Sequence, residues 1–170
     1  TKDSDEVFLK SLLERASINR IGAILYAAHP ITSMGREQVI NVWIHERSPE
    51  WEIGLKTSNL DLSLLLAYQV AHNWSGTINL ITIITDDAER ENGKNFLEEL
   101  IKLGRMPSGT QAIVEVGTLN DYLPNAPHAD LNIFGLQSHN VNLVFTERMV
   151  EATNASCIFV RDSGNESALA

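Results

Sequence analysis

The apolar residues follow two patterns along the chain, a helical spacing of three to four residues and short, nearly continuous apolar runs. The first pattern predicts amphipathic helices and the second predicts buried strands. Helices are predicted at residues 3–16, 60–73, 86–103 and 140–152, with a short helical turn at 119–123. Strands are predicted at residues 21–28, 39–46, 77–85, 111–117, 130–136 and 156–162.

The run 77–85 is the clearest strand, because it is rich in Ile and Thr and shows little polar alternation. Such a run is typical of a parallel strand covered on both faces. Strands that alternate with long helices predict crossover connections and a three-layer α/β fold, with helices on both faces of a mostly parallel sheet of five or six strands. We expect three segments: an N-terminal helix, strand and loop (1–38), the α/β domain (39–163) and a flexible tail (164–170).

The helix faces and helix starts follow from the same pattern. The first helix carries an apolar stripe of Phe8, Leu9, Leu12, Leu13 and Ala16. The Leu-rich helix at 60–73 is apolar on most sides and is expected to be buried on more than one face. Predicted N-caps are Asp3 or Ser4 for the first helix, a Ser58–Asp61 pattern for the second, and Asp86 for the third.

Composition narrows the range of functions. The 13 Lys and Arg residues against 22 Asp and Glu residues give a net charge of −9, which disfavours nucleic acid and direct lipid binding. The 44% of hydrophobic residues suffices for a real core, and one cysteine excludes an internal disulfide. No run is long enough to cross a bilayer, and no signal segment opens the chain. The chain begins with Thr1, which leaves room for it to be part of a longer polypeptide.

Ligands of parallel α/β sheets bind beyond the carboxyl ends of the strands, where the strand order reverses. The loops in that position are predicted to be 47–56, 86–87, 118–120, 137–140 and 163–165. None of these loops has the closely spaced glycines of a dinucleotide fingerprint. Gly104 and Gly109 have phosphate-loop spacing, but Thr110 stands where the lysine should be. We therefore expect Gly104 to end a helix and Gly109 to lie in a turn, rather than to form a phosphate loop.

Catalytic and metal-binding chemistry finds little support. Asp86 and Asp87 follow the best strand, where catalytic carboxylates often lie, but helix capping is favoured and catalysis stays the alternative. The five histidines share no ligand spacing. Cys157 lies in an apolar strand, as a core residue would, and no serine has a GxSxG motif. A binding or regulatory domain is therefore favoured over an enzyme.

Three blocks in the first half of the chain resemble a known family. They are the strand Ile40-Asn-Val-Trp43, the helix Asn59-Leu-Asp-Leu-Ser-Leu-Leu-Leu-Ala-Tyr68 followed by Trp74, and the strand Ile78-Asn-Leu-Ile-Thr-Ile-Ile84. Their order is similar to that in the cytosolic C-terminal domain of cation–chloride cotransporters, in the amino acid–polyamine permease superfamily. The resemblance covers residues 21–84 and continues to Val160 in the order of elements. Asn41 departs from the family pattern, which is usually acidic there, and the loop 47–56 is longer.

The resemblance implies a fold similar to universal stress proteins, a location on the cytoplasmic side of the membrane, and a role in dimerisation and control of transport. Some universal stress proteins bind ATP through a Gly-rich stretch after the fourth strand. Here Gly135 stands alone, with no second glycine in 137–141. The resemblance therefore does not extend to ATP, and we expect no cofactor and no metal.

The sequence thus predicts a regulatory, self-associating domain of a secondary transporter. Its expected partners are the transmembrane domain of the same polypeptide and a second copy of the chain. Trp51 and Trp74 are the candidate interface residues, although both could simply cover the edge of the sheet. The alternatives are a free-standing nucleotide-binding stress protein and a hydrolase that uses Asp86 or Asp87.

Overall fold

In the computed structural model, six strands form one sheet with helices on both faces, as predicted. The structure describes residues 2–45, 47, 50–53, 59–136 and 143–169. The helices are α1 (Lys2–Ile18), α2 (Leu60–Trp74), α3 (Arg90–Leu103), α4 (Leu119–Tyr122) and α5 (Leu143–Thr153). The strands are β1 (Ala23–Ala27), β2 (Val39–Ile44), β3 (Thr77–Ile84), β4 (Gln111–Val116), β5 (Leu131–Gly135) and β6 (Ser156–Arg161). Short 3₁₀ turns occupy Asp87–Glu89 and Leu123–Asn125.

The strand order is β1-β6-β5-β2-β3-β4. The five strands β2 to β6 are mutually parallel, and β1 pairs with β6 in the antiparallel sense at one edge. The strand of the predicted N-terminal segment is thus hydrogen-bonded into the sheet of the predicted α/β domain. The order reverses between β2 and β5, because the chain runs outward from β2 to β4 and then returns to the other side of β2.

The two faces of the sheet bury separate apolar clusters. The first lies under α2 and α3 and contains Ile40, Val42, Ile78, Leu80, Leu131 and Ile133, all fully buried. The second lies under α5 and the α4 crossover and contains Trp43, Ile81, Phe134, Met149 and Phe159. Each central strand therefore contributes to both clusters with alternate residues, which is why the sequence of β3 is apolar without interruption.

A row of buried asparagines crosses the sheet on the α5 side. Asn41 is opposite Asn79 on one neighbouring strand and opposite Asn132 on the other. The Asn41 side chain accepts a hydrogen bond from Asn79 Nδ2 and donates one to the Pro127 carbonyl, both at 2.8 Å. The Trp43 indole N–H donates to Asn132 Oδ1 at 2.9 Å. These bonds fix the register of three strands, because a slip of one residue would leave buried amides without partners.

Two sequence predictions about helix α1 are corrected by the structure. The helix begins at Lys2, so Asp3 and Ser4 lie inside it rather than at its cap. Of its predicted apolar stripe only Leu13 is fully buried, while Phe8 and Leu12 are exposed. Leu9 and Ala16 are half-buried, so the stripe is covered along one edge only. The cover is incomplete because α1 makes little contact with the sheet.

The start of α2 also differs from the prediction. Its N-cap is Asn59, in the left-handed conformation with φ 75°, and the side chain of Asn59 makes no capping bond. The Leu62 N–H in the first turn donates instead to Asp162 Oδ2 at 3.4 Å. Ser58 lies outside the described residues, and Asp61 lies in the first turn, where it accepts a hydrogen bond from Ala168. Among the described residues, no helix combines the length and the apolar character that crossing a membrane requires.

Candidate functional site at the carboxyl edge of the sheet

The carboxyl ends of β5 and β6 meet the start of α2 next to the reversal in strand order, where a ligand would be sought. Asn59 fills this junction. Its Nδ2 donates to the Leu136 carbonyl at 2.6 Å, and its Oδ1 accepts from the Asp162 N–H at 2.9 Å. A Cβ atom at Gly135 would lie 3.1 Å from Asn59 Cβ, so the amide fits tightly against the strand end. Asparagine suits the position because it tolerates positive φ and both donates and accepts.

A segment that we call the C-terminal strap, residues 162–169, crosses the first turn of α2. Glu166 accepts hydrogen bonds from the N–H and the hydroxyl of Ser163 at 2.9 and 2.8 Å. The Ala168 N–H donates to Asp61 Oδ1 at 2.7 Å, and Ala168 and Leu169 pack against the core under α2 and α3. The strap is therefore tied to the domain by polar bonds and apolar contacts along its length.

Carboxyl groups concentrate where α2 begins. Burial, together with the neighbouring Glu166, raises the pKa of Asp162 to about 6. Burial alone would raise the pKa of Glu166, but hydrogen bonds from Asp162 and Ser163 lower it to about 2. A helix N-terminus normally attracts phosphates and other anions. Here Asp61, Asp162 and Glu166 already occupy that end of α2, which makes the carboxyl edge unfavourable for an anionic ligand.

The other candidate acids have structural roles. Asp86 caps the 3₁₀ turn by accepting from the Ala88 N–H at 3.0 Å. Asp86 is thus a capping residue, but of the turn before α3; α3 itself begins at Arg90 after Glu89, which makes no capping bond. Asp87 pairs with Arg90 at 2.8 Å on the surface, and Arg90 also donates to the Val114 carbonyl. The loop 118–120 is held by Thr118, which caps α4. The loop 137–140 lies outside the described residues, and 163–165 belongs to the strap.

The two tryptophans proposed for an interface are both half-buried. The Trp51 indole N–H donates to Glu89 Oε2 at 2.6 Å, and its ring lies 5.6 Å from that of Phe96. A Cβ at Gly93 would lie 3.3 Å from the Trp51 ring, so the indole covers the first turns of α3. Trp74 ends α2 and packs against the core under that helix. Their role in an interface stays a prediction.

At the opposite, amino edge of the sheet, Asp130 organises the loop before β2. Its carboxylate accepts from the N–H groups of Arg36, Gln38 and Val39 at 2.8 to 3.0 Å. Burial alone would raise its pKa, but these three donors, with His128 nearby, lower it. Gly35 has φ 61°, and a Cβ there would clash with the carboxylate. A small open cavity lies beside Asp130. Both carboxylate oxygens of Asp130 already accept hydrogen bonds from the backbone, so they have a structural role there.

The remaining sequence candidates take structural places. Gly104 caps the end of α3, and Gly109 lies in a turn with φ 93°, so neither belongs to a phosphate loop. Cys157 is fully buried, and burial raises its pKa to about 12, which confirms a core role. Within the described ranges, no three His, Cys, Asp or Glu side chains converge in a way that could hold a metal. Sequence reasoning missed Asn59, Asp130 and the strap. An asparagine directly before a helix was the available signal for the first.

The fold defines a class of protein before any comparison is made. A mostly parallel six-stranded sheet between two helix layers, with a reversal in strand order, is a doubly wound α/β domain. Residues 35–169 match the family model described as the second C-terminal domain of prokaryotic cation–chloride cotransporters. The chain belongs to this family, as the sequence predicted.

A solved structure supports the assignment. The chain is similar to the crystal structure of the cytoplasmic domain of a prokaryotic cation–chloride cotransporter, with 33% sequence identity and a TM-score of 0.89. The match covers 99% of this chain and 62% of the relative, so this chain spans less than two thirds of that domain. No curated protein matches the chain at a significant level. The predicted location on the cytoplasmic side of the membrane is confirmed by this membership.

Proposed function

We propose that this chain regulates ion transport as a self-associating unit in the cytoplasmic domain of a cation–chloride cotransporter, and that it catalyses no reaction itself. The observation that carries the proposal is the way the described part of the carboxyl edge is built. Among the described residues, Asn59 joins the ends of β5 and β6, and the strap covers the start of α2. These contacts hold the elements of the domain together and leave no described catalytic group at this part of the edge.

The mechanism is mechanical linkage. The sheet is held in register by the asparagine row and filled on both faces, so it moves as one body. This rigid unit docks on the transmembrane domain of the same polypeptide and on a second copy of the chain. By docking more tightly on one transporter conformation than on the other, it biases the equilibrium between them. A difference of about 1–3 kcal/mol in docking energy between the two conformations is enough for regulation.

The surface suits protein partners. A net charge of −9 disfavours anionic lipid and nucleic acid, so the predicted partners are the membrane domain and the second copy. Trp51 and Trp74 remain our candidate interface residues, since each keeps part of its indole exposed beside a helix end. Aromatic side chains that are half-exposed in the free protein are common anchors of interfaces.

The regulatory role is tested by flux. The full cotransporter, reconstituted in vesicles, is compared with the same protein lacking this unit, at equal amounts in the bilayer. We expect chloride-dependent cation flux to change by about fivefold or more, the effect of a coupling of 1 kcal/mol or above. The substitution Asn95→Asp, on an exposed position of α3, is the matched control and should leave flux unchanged. Equal flux with and without the unit would refute regulation.

Self-association and ligand binding are tested on the chain itself. Sedimentation equilibrium should show a dimer that Trp51→Ala or Trp74→Ala weakens, while Tyr68→Ala, which removes another partly exposed ring, serves as control. A strict monomer at all concentrations contradicts the dimer, and equal effects of all three variants contradict the choice of tryptophans. Saturable micromolar binding of ATP in calorimetry would favour a nucleotide-binding protein instead.

A further inference from the structure

We propose that the outer face of α1 is a docking surface for the unit that precedes this one in the cytoplasmic domain. The inference rests on the proposed function, because it takes the chain to be one unit of a longer cytoplasmic domain. Two of its residues, Phe8 and Leu12, belong to the stripe that the sequence predicted to be buried, and the structure leaves them exposed.

The face runs the length of the helix, and the polar residues Ser11 and Arg15 lie between its apolar members. Val7, Phe8, Leu12 and Ile18 keep 68%, 64%, 44% and 81% of their surface exposed. With Ser11 they fall at spacings of one, four, five and eleven residues, which place them on one side of an α-helix. Several large apolar side chains on one side exceed the scattered exposure that a soluble surface normally shows.

The opposite side of α1 is fastened to the domain. Leu13 is only 5% exposed, and Arg161 at the end of β6 donates from Nη1 to the Leu13 carbonyl at 3.0 Å. Lys10 and Glu6 form an ion pair at 3.1 Å away from the apolar face. Because the helix is anchored through one side, its apolar side is turned toward whatever lies beyond this unit.

The chemistry of α1 excludes a membrane surface as its natural occupant. The helix carries four acidic and three basic residues, whereas helices that lie on anionic bilayers are rich in Lys and Arg on their polar face. The whole chain has a net charge of −9. An apolar face with a balanced polar side instead suits another folded protein unit.

Chain order identifies that unit. The family description calls residues 35–169 the second C-terminal domain, so in this family another domain comes before it. Helix α1 lies ahead of the matched range but within the structural match, which covers 99% of this chain and only 62% of the relative. The helix therefore stands on the side from which the preceding unit would join. Interfaces between domains of one chain bury about 600–1,500 Å², and an exposed apolar helix face contributes to one side of such an interface.

Hydrogen exchange provides the test. Exchange of the α1 amides is compared between this chain and the same chain extended at its amino terminus to the full cytoplasmic domain. We expect at least tenfold slower exchange in the extended protein, and loss of that slowing in the double variant Phe8→Ser, Leu12→Ser. Ile31→Ser, which changes an 87% exposed aliphatic residue in the loop before β2, should preserve the slowing. Since Phe8 and Leu12 are exposed, the double variant of the short chain should melt within about 2 °C of the unsubstituted chain.

Equal exchange of α1 in the short and the extended protein would overturn the inference. So would a dimer of the short chain that the double variant dissociates, because a second copy would then be the occupant. Binding of the short chain to anionic vesicles that depends on Phe8 would assign the face to the membrane and overturn it as well. None of these results bears on flux control, so a failure here is distinguishable from a failure of the proposed function.

Discussion

Replacing Asn41 by aspartate tests whether the asparagine row holds the sheet in register. Asn41 is 1% exposed, and its amide makes two hydrogen bonds of 2.8 Å, one as acceptor from Asn79 and one as donor to the Pro127 carbonyl. Aspartate has nearly the same shape, so the change removes the donor and adds a buried charge without opening a cavity. It also restores the acidic residue that the resemblance to the family leads one to expect at this position.

The magnitude follows from the two bonds. An ionised aspartate at this position keeps the bond from Asn79 but turns an acceptor toward the Pro127 carbonyl, which is left without its donor. An unsatisfied buried group costs about 1–3 kcal/mol, and a buried charge adds to that cost. We expect a loss of about 2–4 kcal/mol at pH 7.5. For a chain of this size, that loss lowers the melting temperature by roughly 5–15 °C.

The pH dependence separates this mechanism from general damage. Burial raises the pKa of the new carboxyl, and its protonated form can donate to the Pro127 carbonyl as the amide did. A group whose pKa is raised on folding stabilises the protein at low pH, and that contribution is lost as the pH rises through the raised value. The gap in stability between Asn41→Asp and the unsubstituted protein should therefore narrow at pH 5.

Urea unfolding followed by circular dichroism at pH 5 and pH 7.5 measures both quantities. Asn95→Asp adds the same charge at an exposed position of α3 and should change stability by less than about 0.5 kcal/mol. A gap for Asn41→Asp that is equally wide at both pH values, or a variant as stable as the control, would show that the Pro127 bond does not anchor the row.

Three further substitutions probe the edges of the sheet. Asp130→Ala should cost about 2–4 kcal/mol at pH 7, since three backbone donors lose their acceptor. Because the pKa of Asp130 is lowered, its carboxylate stabilises the folded protein above pH 4, and this stabilisation is lost as the pH falls further. The difference in stability between Asp130→Ala and the unsubstituted protein should therefore become smaller in acid. Gly76→Ala should lower the melting temperature by several degrees in a thermal scan, because its Cβ would lie 2.5 Å from the Gln38 carbonyl oxygen. Asp162→Asn should raise the urea midpoint at pH 7.5 but not at pH 4, since a pKa raised to about 6 penalises the ionised form and asparagine carries no charge at either pH. An unchanged midpoint at pH 7.5 would contradict that assignment.

The order and type of the elements could be predicted because they depend on local pattern. The uninterrupted apolar run of β3 requires cover on both faces, and the structure supplies it with α2 and α3 on one side and the α4 crossover and α5 on the other. Strands alternating with long helices leave few topologies to choose from. The antiparallel pairing of β1 was not predictable, since it depends on which edge of the sheet the N-terminal strand reaches.

The carboxyl edge escaped prediction because its contacts are distant in sequence. Asn59 bonds across 77 residues to Leu136 and across 103 to Asp162. No local spacing encodes such a junction, and an asparagine before a helix predicts a side-chain cap rather than a left-handed residue that joins two strand ends. The predicted flexible tail, residues 164–170, rests on polar composition, which does not reveal the hydrogen bonds that Glu166 and Ala168 make.

The predicted apolar stripe of α1 differs from the structure for another reason than the Asn59 junction does. Its periodicity correctly predicts a helix with an apolar side, but periodicity cannot say which surface that side meets. Phe8 and Leu12 at one edge of the predicted stripe remain exposed, whereas Leu13 at its other edge is covered. A pattern that specifies burial without an intramolecular partner is evidence for an intermolecular or inter-unit one, because exposed apolar surface of this extent is costly. The exposure of Phe8 and Leu12 against the pattern, next to the exposed Val7 and Ile18, is therefore the observation that supports a docking surface on α1.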